Sequence, residues 1–126
     1  MEISVFLNSI KQDFIESCNL YHHNQIGNSI TIYKDNEDFP DLDGFQLAIV
    51  GVEEDRNSFN NKGCKDAPNA VRKSLYQLFN HWNNLNIIDL GNIKNGFGIE
   101  DTYFALNNVF TTLMKYRIIP IIIGGS

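Results

Sequence analysis

The stretch that most constrains this chain is Leu47-Ala-Ile-Val-Gly-Val52, ended abruptly by Glu53-Glu-Asp-Arg56. A short apolar run rich in β-branched residues and lacking alternation predicts a strand buried on both faces. Such strands belong to parallel sheets covered by helices, so the run commits its surroundings to alternating strands and helices. Gly51 predicts a turn or the close approach of another element. The charges just past the carboxyl end fall where open α/β sheets bind their ligands.

The downstream sequence repeats the theme. The connection from Glu53 to Asp66 is long for a strand-to-helix loop, and its position favours a functional role over a solvated insertion. A helix is expected from about Pro68, a residue tolerated in the first turn. Ala67, Val71, Leu75, Leu78 and Phe79 form its apolar stripe, with Arg72 and Lys73 off the stripe. Arg72 is expected to serve folding by reaching carboxylates in the preceding loop. Leu85–Leu90 is the second strand, with Asp89 its polar exception. Gly91, Gly96 and Gly98 match no phosphate-binding spacing and are assigned to turns. Glu100 and Asp101 open the next helix at the positive end of its dipole, and Lys115 and Arg117 close it. Tyr103, Leu106, Phe110, Leu113 and Met114 are its expected buried face. Ile118–Ile123 is the third strand, its paired part beginning at Pro120, which has no N–H to donate. The predicted class is α/β, with parallel strands joined by right-handed crossovers. Three parallel strands are too few to complete such a domain, so the chain is expected to be part of a longer one.

Residues 1–44 read as an accessory lead-in to an α/β unit spanning 45–126. Val5, Phe6, Ile10, Phe14 and Ile15 recur at helical spacing, predicting a helix from about Ser9. Asn28–Tyr33 alternates, as a half-exposed strand does, and Lys34–Gly44 is an acidic loop. The lead-in carries two lysines against eight acids, whereas residues 45–126 carry eight bases and seven acids.

The overall charge of −5 argues against nucleic acid or an anionic membrane as partner. No apolar run is long enough for a membrane-spanning helix. Cys18 and Cys64 are too few for a disulfide framework and follow no signal-peptide pattern, so free thiols and a cytoplasmic location are expected. A zinc site from Cys18, His22, His23 and Cys64 lacks the paired spacing of structural sites.

Taken in order, Leu47–Val52, Arg56, Gly63, Ala67-Pro68-Asn-Ala-Val-Arg72, Asp89-Leu-Gly91 and Pro120-Ile-Ile-Ile-Gly-Gly-Ser126 resemble the amino-terminal part of the ureohydrolases. This is the arginase, agmatinase and formimidoylglutamase family, and the acidic loop and G-G-S ending look closest to formimidoylglutamase-like members. The resemblance covers residues 45–126 and adds little for 1–44. It implies a three-layer α/β/α fold and two manganese ions that activate water to attack a guanidinium or formimino carbon. The family's ligands come from a G-G-D-H histidine and from D-x-H-x-D and D-x-D segments, none of which is in this sequence. Ser126 stands where the family has the aspartate before its first histidine ligand, and Glu53 where many relatives have proline.

What the resemblance implies for this chain is a set of substrate-cleft candidates, namely Glu53, Glu54, Asp55, Arg56, Asn57, Gly124, Gly125 and Ser126, with no catalytic or metal-binding residue. Against it stands the reading that Arg56 and the acids pair with one another on a wet surface. Two functions follow. One is the front part of a manganese hydrolase of linear amidine or guanidine carbon–nitrogen bonds, taking a small-molecule substrate and inactive as this stretch alone. The other is a Rossmann-like binding or regulatory module. In the family's sheet the 118–123 strand lies inside, so its uncovered edge here predicts a homo-oligomer.

Overall fold

A computed structural model describes residues 3–56, 59–60, 62–82 and 84–124, apart from the side chain of residue 19. The buried run forms strand β3, Leu47–Val52, at the middle of the sheet. The other strands are β1 (Leu7–Asn8), β2 (Thr31–Ile32), β4 (Ile87–Ile93) and β5 (Ile119–Gly124). The order is β1-β4-β3-β5, with β2 also paired to β4. The pairs β2–β4, β3–β4 and β3–β5 are parallel, whereas β1 runs antiparallel to β4. The sheet is therefore mixed. The chain enters β1 directly from its amino-terminal turn rather than through a crossover helix, which frees that strand from the parallel rule.

The helices are α1 (Gln12–Ser17), α2 (Ile26–Ser29), α3 (Ala67–Leu75) and α4 (Ile99–Lys115). The helix expected from Ser9 instead starts at Gln12, because residues 3–8 form a 3-10 turn and the edge strand β1. Alternating residues of β3 feed two cores. Ala48, Val50 and Val52 meet Ala105, Val109 and Leu113 of α4, while Ile49 meets Tyr76 just beyond α3. The lead-in contributes to both, with Ile3, Leu7, Tyr33 and Leu42 in the first and Ile10, Cys18, Ile26 and Ile30 in the second. Each such side chain is worth about 1.5–3 kcal/mol when buried. Among the described residues no helix is long and apolar enough to cross a membrane.

Both expected helix faces need correction. On α3 the buried positions are Pro68 and Arg72, followed by Tyr76, while Val71, Leu78 and Phe79 are exposed. A polar network draws this face inward, and a hydrophobic pattern is blind to it. On α4 the buried positions are Thr102, Ala105, Val109 and Leu113, while Tyr103, Phe110 and Met114 are exposed. Small and β-branched residues let α4 lie close on the sheet, and the bulky side chains turn outward. The second strand is also longer than expected, running through Gly91 to Ile93. The third pairs from Ile119 rather than Pro120, since Leu47 faces Ile119 and the Ile119 N–H donates to Gln46 O at 2.9 Å. Alternation along β5 turns the position of Pro120's missing N–H to the open edge, where it costs no ladder bond.

Candidate functional site

Three stretches meet at the carboxyl end of the sheet. They are residues 53–56 after β3, residues 94–98 after β4, and Gly124 at the end of β5, level with Val52 in the register. Of the candidates, Glu53, Glu54, Asp55, Arg56 and Gly124 are thus brought to one end. Asn57, Gly125 and Ser126 lie outside the described residues.

Glu54 is buried, and its carboxylate is the anchor of this end. It accepts from Arg56 Nε at 2.7 Å, from the Arg56 backbone N–H at 3.1 Å, from Arg56 Nη2 and from the Thr102 hydroxyl at 3.0 Å. The Arg56 side chain holds the Glu54 carboxyl well below the usual range, at about 2. Burial opposes that shift, and the Arg56 backbone N–H and the Thr102 hydroxyl assist it. Arg56 itself donates through Nη1 to Gly96 O at 2.8 Å and Phe97 O at 3.0 Å, lashing the two strand-end loops together. Arg56 does pair with an acid, and the pair is half inside, because Glu54 is buried while Arg56 is exposed. Glu53 accepts from Asn69 Nδ2 at 3.1 Å, and Asp55 accepts from the Gly63 N–H at 2.6 Å. Both keep partial exposure. The strand end therefore presents two partly accessible carboxylates beside the buried Glu54, whose charge is neutralised by the exposed Arg56.

A second polar centre lies inside. All five N–H groups of Arg72, which is fully buried, find acceptors. They are Asp89 Oδ2 at 2.8 Å, Asp89 Oδ1 at 3.0 Å, Gly91 O at 2.9 Å, Asn92 Oδ1 at 2.7 Å and Asn69 Oδ1 at 3.2 Å. Asp89 also accepts from the Tyr76 hydroxyl at 2.6 Å and the Gly91 N–H at 2.9 Å. Burial, then the charge of Asp89, raises the Tyr76 hydroxyl above its ordinary pKa. Arg72 thus reaches into the second strand rather than into the preceding loop, because it lies on the buried face of α3, where its acceptors are Asp89, Gly91 and Asn92 of β4.

The backbone makes this arrangement. Ile49 faces Asp89 but Gly51 faces Asn92, so β4 carries one extra residue against β3. Gly91 sits in that bulge at φ +81°. A bulge shifts the alternation by one, which leaves Ile88, Leu90 and Ile93 in one core and puts Asp89 and Asn92 together on the other face. Gly51 is required opposite, since a Cβ there would overlap Asn92 Oδ1 and lie 2.8 Å from Pro68 Cβ. Sequence reasoning missed this centre. The available signals were an aspartate in an apolar strand and the four-residue spacing of Pro68, Arg72 and Tyr76.

Between α3 and the segment Asn8–Tyr21 lies an open cleft of about 720 Å³, with Arg72 and Asn92 at its inner wall. Among the described residues no three His, Cys, Asp or Glu side chains come together as a group that could hold a metal ion. The described residues therefore do not fit the metal pair implied by the resemblance.

A central parallel strand, helices packed on the sheet and a long connection after the strand define an α/β protein. The chain belongs to the Arginase family, whose model matches residues 45–126. No curated protein and no solved structure matches it.

Proposed function

We propose that this chain is the front part of a ureohydrolase-type hydrolase, in which the strand end of β3 forms one wall of the substrate cleft. The observation that carries the reading is the family match over residues 45–126, which includes that strand end. In this reading the α/β unit belongs to a three-layer α/β/α domain, and the substrate is a linear amidine or guanidine, formimidoylglutamate being the closest chemical type. Glu53 and Asp55 offer negative charge to a cationic substrate, which favours its approach. Arg56 and Glu54 hold the loops that carry them, and Gly124 lies at the same end of the sheet; Asn57, Gly125 and Ser126 remain candidates from the resemblance alone. Two manganese ions would supply an activated water, with ligands contributed from outside the described residues.

The second reading is a Rossmann-like binding or regulatory module, which would use the strand-end loops for binding without chemistry. Calorimetric titration of the chain with manganese near neutral pH, paired with assays on guanidino and formimino substrates, tests the first reading. No stoichiometric uptake and no turnover are expected from these residues by themselves. Tight, stoichiometric uptake would overturn the assignment of the ligands to other residues. The readings part on the codons after Ser126. A histidine there, followed by D-x-H-x-D and D-x-D segments, supports the hydrolase, and their absence supports the module.

A further inference from the structure

The cleft beside α3 takes no lining from β5, and it adjoins the strand end of β3 only through Glu53. Its volume of about 720 Å³ lies within the usual range for small-molecule sites. Arg72 lines it but has no donor left for a ligand, as all five of its N–H groups are committed inside the protein. The remaining charges are two of each sign, Lys11 and Lys73 against Asp13 and Glu53. Lys11, Asp13 and Lys73 use no side-chain atom in a hydrogen bond or ion pair among the described residues. Ile10, Phe14 and Tyr21 give the cleft an apolar wall. The nearly buried Asn92 amide, whose bond to Asn69 is long at 3.4 Å, offers a donor at depth.

These features select a ligand by elimination. An anion would leave Asp13 and Glu53 facing it, and a cation would leave the two lysines facing it. Complementary potential favours both signs on one small molecule. We propose that the cleft binds a small zwitterion of the amino-acid class with an apolar side chain. Its carboxylate lies toward Lys11 and Lys73, its ammonium toward Asp13 and Glu53, and its side chain against Phe14 and Tyr21. This goes beyond the hydrolase reading and shares only Glu53 with it, so the variants that test it are made at Asp13 and Lys73.

The test is a nitrogen–proton NMR titration of the whole chain with L-phenylalanine, 3-phenylpropanoate (no ammonium) and phenethylamine (no carboxylate). L-Phenylalanine is expected to give saturable shifts at Lys11, Phe14, Tyr21, Lys73 and Asn92. Each truncated probe should bind about tenfold more weakly, the loss of one charge-assisted contact. Asp13→Asn should weaken L-phenylalanine and phenethylamine but not 3-phenylpropanoate, and Lys73→Met should weaken L-phenylalanine and 3-phenylpropanoate but not phenethylamine. Both residues are exposed, so unchanged melting of each variant is the folding control. Equal binding of all three probes would reduce the cleft to an apolar surface and overturn the proposal. So would absence of saturable shifts with L-phenylalanine, or variants without effect. None of these outcomes touches manganese uptake or hydrolysis, which test the hydrolase reading separately.

Discussion

Arg72 and Asp89 show how one ion pair decides a helix face. A buried charge that loses its partner costs about 3–5 kcal/mol, whereas replacing both partners by apolar groups is often nearly neutral. Arg72→Ala is therefore expected to lose about that much stability in urea denaturation, with turnover per folded molecule in any active form unchanged. Arg72→Met combined with Asp89→Leu should recover much of the loss, and a double variant no better than the sum of its parts would refute the coupling. Glu54 carries a pH dependence of definite sign. Its folded pKa of about 2 lies below the ordinary 4.5. It therefore contributes stability that is full above pH 4.5 and is lost as the pH falls towards 2. Glu54→Gln should be less stable at neutral pH and show a flatter acid limb in a series of denaturation midpoints. Parallel limbs for the two proteins would count against the buried Glu54–Arg56 bond.

At the level of elements, β4 is the part that the sequence concealed. Its bulge rests on Gly91, whose φ of +81° places it in the left-handed region, where other residues cost about 1–2 kcal/mol. A Cβ at Gly91 would also overlap the Asn8 carbonyl in the adjoining segment and lie 3.0 Å from Ser9 Cα. Gly91→Ala is thus expected to destabilise by more than the conformational term alone and to loosen β1 from β4. Amide hydrogen exchange would read this as faster exchange at Lys94, whose N–H donates to Phe6 O at 2.8 Å. Unchanged protection there would mean that the bulge tolerates a side chain. Helix α4 follows its sequence signals more closely at its ends than on its faces. Glu100 and Asp101 do open it, and Asp101 Oδ2 accepts from the Phe97 N–H at 3.1 Å. Which face turns inward was set by the closeness of β3 and by the hydroxyl that Thr102 gives to Glu54.

Among the described residues, β5 ends the sheet with one edge unpaired, and Ile119, Ile121 and Ile122 are exposed there. The lead-in strands β1 and β2 both pair with β4 at the opposite side, so they leave this edge alone. A flat, uncharged apolar edge is a template for another chain. Light scattering at micromolar concentration is expected to give a dimer or larger species, and Ile122→Lys to shift it towards monomer. A monodisperse monomer with a cooperative melt for the unmodified chain would sink this expectation.

The sequence by itself determined the central strand, the order of strands and helices after it, and the strand end where Glu53–Arg56 gather. These follow from local patterns, namely an unbroken β-branched run, proline and acids at helix starts, and charges past a strand. It also contained, through motif order, membership of the Arginase family. The tertiary structure alone decided that the lead-in belongs to both cores, because burial of Ile3, Leu42 or Cys18 depends on partners far away in sequence. It alone turned α3 and α4 to their actual faces and made Asp89, Asn92 and Arg72 one centre. A bulge of one residue, set by how β4 lies against β3, reverses the alternation that a linear pattern assumes.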